Sequence, residues 1–215
     1  FELILVDDRS SDSSYQKIID LSREDKRVKG IRLAQNFGQQ NAIFCGFNYT
    51  QGDYIITMDD DLQHRAEDIV KLYKKIKAGD YDAVYAIPKN RDYSLPRKIG
   101  SKLTDKLFNL ITPKTNNVRV SSFRIITREL LQQILQVDKS FIYISAIMLQ
   151  QNIKIANIYT EHKDRKYGES NYNFFKLIKL FFKLSLYYSK MPLLNYFRSK
   201  NKQYLIEKST FKIEN

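Results

Sequence analysis

The chain has 215 residues, 43% apolar and 28% charged, enough to bury a domain core and too apolar for a disordered chain. Seven Gly and four Pro exclude a collagen-like or linker-rich protein, and the single cysteine, Cys45, excludes an internal disulfide or a cysteine metal cluster. The net charge of +12 is uneven: residues 162–215 carry twelve Lys/Arg against four Asp/Glu, which points to an anionic partner for the tail or to a solvated basic face.

The opening Phe-Glu-Leu-Ile-Leu-Val-Asp-Asp starts inside a strand pattern without an initiator Met, so the chain reads as a fragment lacking an earlier element. Glu2–Val6 reads as a strand buried on both sides, and Ser10-Ser11-Asp12 offer N-cap residues to a helix running to about Arg23. Val28–Leu33 is a strand, Gln39–Tyr49 a helix, Tyr54–Met58 a strand, Glu67–Lys77 an amphipathic helix stopped by Gly79, and Ala83–Ile87 a strand. Strands alternating with helices predict an α/β layered fold with a largely parallel sheet. Farther along, Pro88–Pro96 reads as a polar loop and Leu103–Ile111 as a helix. Phe123–Ile126 is a strand, Arg128–Gln136 and Phe141–Gln151 are helices, and Ile153–Tyr159 is a strand.

Tyr172–Tyr188 has a different texture. Lys176, Lys179 and Lys183 fall on one face of a helix whose other positions are mostly Phe, Leu and Ile, with no acidic residue. Such a helix suits a membrane interface with snorkelling lysines, or a place against its own domain. No run of eighteen uncharged apolar residues and no signal-peptide pattern occurs.

The strongest local chemistry is Thr57-Met58-Asp59-Asp60-Asp61-Leu62-Gln63, three carboxylates directly after a buried strand. Ligands of open α/β sheets bind beyond the carboxyl ends of strands. Adjacent carboxylates repel unless a cation is present, and hard oxygen ligands suit Mg²⁺ or Mn²⁺. An acidic helix N-terminus accounts for the same residues. Val6-Asp7-Asp8-Arg9-Ser10-Ser11-Asp12 repeats the arrangement, with an Asx-capped turn as its plain alternative. Two parallel strands ending this way would place both clusters on one edge. His64 reads as a loop residue, and Cys45 as core.

These two segments, with Asn36-Phe37-Gly38-Gln39-Gln40-Asn41-Ala42, Gly52-Asp53-Tyr54 and the stretch His162–Tyr172, resemble the family 2 glycosyltransferases. The likeness is to their polyprenyl-phosphate branch, of the dolichol-phosphate mannose synthase and bactoprenol glucosyltransferase type, and runs to about residue 193. The resemblance implies a GT-A fold, a Rossmann-like sheet flanked by helices, over residues 1–160. Residues 161–194 would form a phosphate-binding loop and an amphipathic membrane-interface helix, and residues 195–215 a basic polar tail. It implies inverting, metal-dependent transfer of a hexose from a nucleotide sugar, a UDP sugar, to a polyprenyl phosphate in cell-surface polysaccharide assembly. By the same resemblance Asp8 would meet the base, and Asp59, Asp60, Asp61, Gln63 and Arg165 the nucleotide sugar. Asp59, Asp61 and Gln63 would hold Mg²⁺ or Mn²⁺; Arg124, with Lys89 or Arg91, would meet the acceptor phosphate. Asp59, Asp61, Arg124 and Arg165 would be the catalytic set. The expected partners are nucleotide sugar, polyprenyl phosphate and an anionic membrane surface, not nucleic acid, at the cytoplasmic face as a peripheral protein.

The chain departs from the family pattern in three places. The opening strand with its Pro-x-Tyr-Asn-Glu-Glu motif is not in the sequence; Ser121 and Ser122 stand where an acidic residue often precedes Phe-Arg; and Asn171 replaces a Lys after Ser170. Losing an acidic candidate base fits an acceptor that is already an anion. Transfer to a saccharide hydroxyl in capsule or O-antigen synthesis, and a non-enzymatic module using the basic tail on nucleic acid, are the competing readings.

Overall fold

The computed structural model describes residues 1–89, 118–161, 174–188 and 202–213. Leu103–Ile111, the loop beyond Lys89 with Arg91, and the His162–Tyr172 stretch with Arg165 lie outside the described residues. The chain divides into two compact units: residues 1–53, 131–144 and 199–215, and residues 54–130 and 145–198.

The first unit is built on a three-stranded sheet of order β1-β2-β7. Strands β1 (Leu3–Asp7) and β2 (Val28–Leu33) pair in parallel, joined by helix α1 (Ser14–Glu24), and β7 (Ile206–Ser209) adds antiparallel to β2. The β2 side chains alternate. Ile31 and Leu33 enter a core with Ile4, Val6, Ala42 and Cys45, where helix α2 (Gln39–Phe47) packs. Gly30 and Arg32 face α1, and a Cβ on Gly30 would collide with the Ile18 side chain, so that rung needs glycine. Burial pushes the Cys45 thiol up to about 12, the behaviour of a small core hydrophobe. The α1 helix starts at Ser14, four residues after the first expected cap, because the preceding residues turn back on themselves: Asp7 accepts from the Ser10 amide (3.1 Å) and Asp12 from the Ser14 amide (2.9 Å).

The second unit holds a four-stranded sheet of order β3-β5-β4-β6: β3 (Tyr54–Thr57), β5 (Arg124–Thr127), β4 (Ala83–Pro88) and β6 (Ile155–Thr160). Pairing is antiparallel across β3/β5 and β5/β4, and parallel across β4/β6. The pairing is therefore mixed rather than largely parallel, because β5 enters between β3 and β4 against their direction. Helix α3 (Glu67–Ala78) covers one face with Leu72 and Ile76 against Val84, Ala86, Phe123 and Ile125. Its acidic first turn (Glu67, Asp68) and basic last turn (Lys75, Lys77) match the helix dipole. Helix α4 (Arg128–Leu135) follows β5 directly, and α5 (Ile144–Leu149) occupies the middle of the expected Phe141–Gln151 helix.

One rung of this sheet is polar. The register aligns Thr57, Arg124, Tyr85 and Asn157 across all four strands, between rungs of Ile, Val and Ala. The four reach two segments, the stretch before β5 and helix α5. Thr57 Oγ1 donates to the Ser122 carbonyl (2.6 Å), Arg124 Nη1 to Ser145 Oγ (3.0 Å), and Tyr85 Oη to Met148 Sδ (3.4 Å). The Asn157 amide clasps the Arg119 backbone, accepting from its N–H (3.0 Å) and donating to its carbonyl (2.8 Å).

Helix α6 (Phe174–Tyr188) buries Leu184, Tyr187 and Tyr188, and the Tyr188 carbonyl accepts from Gln150 Nε2 (2.9 Å). Phe182 (65% exposed), Lys179 and Lys183 face outward. No helix among the described residues is long and apolar enough to cross a membrane. The segment read as a polar tail is not polar throughout: Tyr204, Ile206 and Phe211 pack against the first unit's core while Lys202, Lys208 and Lys212 stay exposed. Within it Ile206–Ser209 forms the edge strand, with a register irregularity opposite Arg32 and Leu33.

Candidate functional site

Each unit ends a strand in carboxylates. In the first, β1 delivers Asp7 and Asp8 into a turn whose third residue, Arg9, has φ 64°. Asp7 is buried; its Oδ2 lies 3.5 Å from Arg32 Nε, and Arg32 lies 3.5 Å from Glu207 on β7. Glu207 also pairs with Arg9, which holds its carboxyl below the usual carboxylate range. Asp8 points the other way, into the loop before α2. Its two oxygens accept the Phe37 and Gly38 amides at 2.7 and 2.8 Å, and its carbonyl accepts Asn36 Nδ2 (3.1 Å). Gly38 makes that loop possible: its φ is +88°, and nothing lies within 4 Å of where a Cβ would stand. Burial pushes the Asp8 carboxyl above its ordinary value, aided by the Asp7 charge and opposed by the two amides. Asp8 thus fixes the Asn36-Phe37-Gly38 loop, and each oxygen keeps a second lone pair for a ligand donor.

In the second unit β3 ends at Thr57 and releases Met58-Asp59-Asp60-Asp61. Ser122 Oγ donates to Asp59 Oδ2 at 2.7 Å, and Asp61 Oδ1 accepts the Gln63 amide at 3.2 Å. Leu62 turns the chain at φ 60° and is 56% exposed. The His64 ring lies against Phe123, centroids 4.6 Å apart. Among the described residues no three His, Cys, Asp or Glu side chains gather closely enough to hold a metal alone. Two carboxylates with oxygens of a bound diphosphate are a donor set that Mg²⁺ or Mn²⁺ accepts, so Asp59 and Asp61 fit such an ion.

Arg124 is not at the surface. It is 2% exposed, with its charge facing the neutral hydroxyls of Ser145 and Tyr85, and its Nε has no hydrogen-bond partner among the described residues. Tyr85 is fully buried, and burial drives its phenol upward against the opposing charge of Arg124. A buried guanidinium whose partners among the described residues are neutral favours any anion that reaches it. Lys89 is exposed just past β4, its amide donating to the Thr160 carbonyl (2.9 Å).

The structure therefore brings Asp59, Asp61, Gln63 and Arg124 into one unit and Asp8 into the other, so the two acidic clusters belong to different sheets rather than to neighbouring strands. Sequence reasoning noted Ser122 only as the lack of an acid and missed Tyr85, Ser145 and Asn157. Tyr85 and Asn157 are placed by strand register and Ser145 by the packing of α5, for which single-chain spacing carries no signal.

The sequence profile of Glycosyl transferase family 2 matches residues 1–135. The chain is 35% identical over 194 residues to an undecaprenyl-phosphate 4-deoxy-4-formamido-L-arabinose transferase of Photorhabdus laumondii, over 90% of its own length and 59% of the relative's. Among solved structures it resembles glucosyl-3-phosphoglycerate synthase of Mycobacterium tuberculosis in complex with Mn²⁺, UDP-glucose and phosphoglyceric acid. There the TM-score is 0.57 at 17% identity, covering 86% of this chain and 66% of that one. It also resembles mannosyl-3-phosphoglycerate synthase of Rubrobacter xylanophilus, with TM-score 0.53 at 12% identity, covering 86% and 61%. These likenesses show the fold, which is GT-A. The chain spans about three-fifths of the length of the curated relative it matches.

Proposed function

Since the chain belongs to glycosyltransferase family 2, we propose that it is the catalytic part of an inverting enzyme that moves a sugar from a nucleotide sugar, a UDP sugar, to a polyprenyl phosphate. The observation that carries this reading is the acidic loop leaving β3, with Asp59 held by Ser122 and Asp61 by the Gln63 amide. The acceptor class is supported by the relative's undecaprenyl-phosphate substrate and by the buried Arg124, whose partners among the described residues are neutral hydroxyls. Asp59 and Asp61, with Gln63 beside them, would hold Mg²⁺ or Mn²⁺ at the end of β3, where the diphosphate end of the donor would lie. When bound, the ion neutralises charge on the departing diphosphate. Asp8 holds the loop before α2, where its remaining lone pairs suit a base N–H. Arg124, with Lys89 and Arg91, draws the acceptor phosphate, and Arg165 the donor diphosphate. A phosphate monoester is anionic near neutral pH and attacks the anomeric carbon from the face opposite the leaving group without a protein base. Such a reaction serves cell-surface polysaccharide assembly.

The working place is the cytoplasmic membrane surface, reached peripherally through α6. Phe182 between Lys179 and Lys183 presents an aromatic anchor flanked by cations. Reversing both lysines to Glu should weaken sedimentation with anionic vesicles by roughly tenfold or more, and unchanged sedimentation removes the membrane role. The decisive assay supplies radiolabelled UDP sugars and a polyprenyl phosphate to the full-length protein. Label in a mild-acid-labile lipid is the expected product. Label appearing only in saccharide selects the hydroxyl-acceptor reading, and no metal-dependent transfer to either rejects the enzyme.

A further inference from the structure

The β3/β5 register runs Tyr54↔Thr127, Ile55↔Ile126, Ile56↔Ile125 and Thr57↔Arg124. Continued for two residues beyond the ladder, it sets Asp59 opposite Ser122. There the side chains meet, Ser122 Oγ donating to Asp59 Oδ2 at 2.7 Å. One residue thus makes two different attachments to the exit of β3. Its carbonyl accepts from Thr57 Oγ1 (2.6 Å) and ties strand to strand, while its hydroxyl reaches the first carboxylate of the acidic loop.

We infer that Ser122 is a positioning residue for the divalent-cation site: its hydroxyl occupies one oxygen of Asp59 and so fixes how that carboxylate is presented to the ion. The inference rests on the proposed reading of Asp59 and Asp61 as metal-holding residues. Outer groups that hydrogen-bond ligating carboxylates set their orientation, and losing one costs roughly 10- to 100-fold in metal affinity. A hydroxyl suits this place because it is neutral; a carboxylate opposite Asp59 would add a like charge across the strand pair. The division of labour within Ser122 makes the idea separable from folding. Ser122→Ala deletes the hydroxyl and leaves the carbonyl that Thr57 uses. Ser122→Thr keeps the hydroxyl.

The test measures Mn²⁺ uptake in the presence of UDP by the electron paramagnetic resonance signal of the free ion, with a melting curve on each protein. Expected are a roughly 10- to 100-fold weaker Mn²⁺ affinity for Ser122→Ala, an unchanged melting transition, and recovery of most of the affinity in Ser122→Thr. Transfer activity of Ser122→Ala should fall at limiting Mn²⁺ and recover as Mn²⁺ is raised. Wild-type affinity in Ser122→Ala overturns the inference and leaves the functional reading standing. Equal losses in Ala and Thr variants, or a loss that follows a lowered melting transition, also overturn it. A wild-type protein that takes up no Mn²⁺ overturns the functional reading, and this inference with it.

Discussion

Two strand ends carry aspartates, and they are held by different kinds of partner. At the end of β1, Asp8 gives both oxygens to main-chain amides of a distant loop, and Asp7 is buried beside Arg32. At the end of β3, Asp59 meets a serine hydroxyl and Asp61 the amide of Gln63, two residues on. Both turns pass through a left-handed residue, Arg9 at φ 64° and Leu62 at φ 60°. The same local shape therefore serves two ends: the first corner uses its carboxylates to build a loop, and the second is the one proposed to hold a cation.

That contrast is breakable. The largest expected effect is Asp61→Ala, which should lower kcat/KM by roughly 10³-fold with the fold intact, the scale of losing one electrostatic stabiliser of a leaving group. Calorimetric titration with UDP and Mn²⁺ should show the matching loss of binding. If Asp61→Ala chiefly lowers stability, the two corners are alike after all. Asp8→Ala should do the reverse, costing about 2 kcal/mol in denaturant unfolding because two part-buried amides lose their acceptor. Unfolding that matches wild type would show that Asp8 does not hold the loop.

Smaller still is Leu62→Gly. A non-glycine residue in the left-handed region costs about 1–2 kcal/mol, partly offset by the added freedom of Gly in the unfolded chain. A gain of about 0.5 kcal/mol is expected in chemical denaturation, and destabilisation would mean that the exposed Leu62 side chain packs against something the β3 turn needs. The smallest effect belongs to Asp25, whose carboxylate takes the Arg27 side chain and amide (2.7–3.1 Å) and is held down to about 2. A folded-state value below the unfolded one adds stability that is full above about 4 and lost as pH falls toward about 2. Asp25→Asn should flatten the acid limb of the stability profile in that window, whereas an unchanged limb would show the pair contributes nothing.

Much of the element order was legible in the sequence. Val28–Leu33 forms a strand over its expected span, and Glu67–Ala78 extends the expected helix by one residue, because apolar spacing and the stop at Gly79 are local signals. The two acidic strand ends were legible for the same reason. Strand direction was not. β5 lies antiparallel between β3 and β4, a matter of partners some 40 to 70 residues away in sequence. Strand β7 was hidden by its lysines, because Tyr204, Ile206 and Phe211, which pack against the core, follow no period-two pattern. At the site, Asp8 was read as free to meet a ligand, and the structure first gives it the Phe37 and Gly38 amides. Ser122 was noted only as the lack of an acid; its partner Asp59 becomes visible once the register is known.

The row Thr57, Arg124, Tyr85 and Asn157 has a consequence for how the second unit comes apart. Its four side chains are fastened to residues 122, 145, 148 and 119, so pulling any one strand out of line disturbs attachments on the others. Hydrogen exchange at the amides of β3, β5, β4 and β6 should then proceed through one shared opening event, with the sheet behaving as a single latch rather than four loosely stacked ribbons.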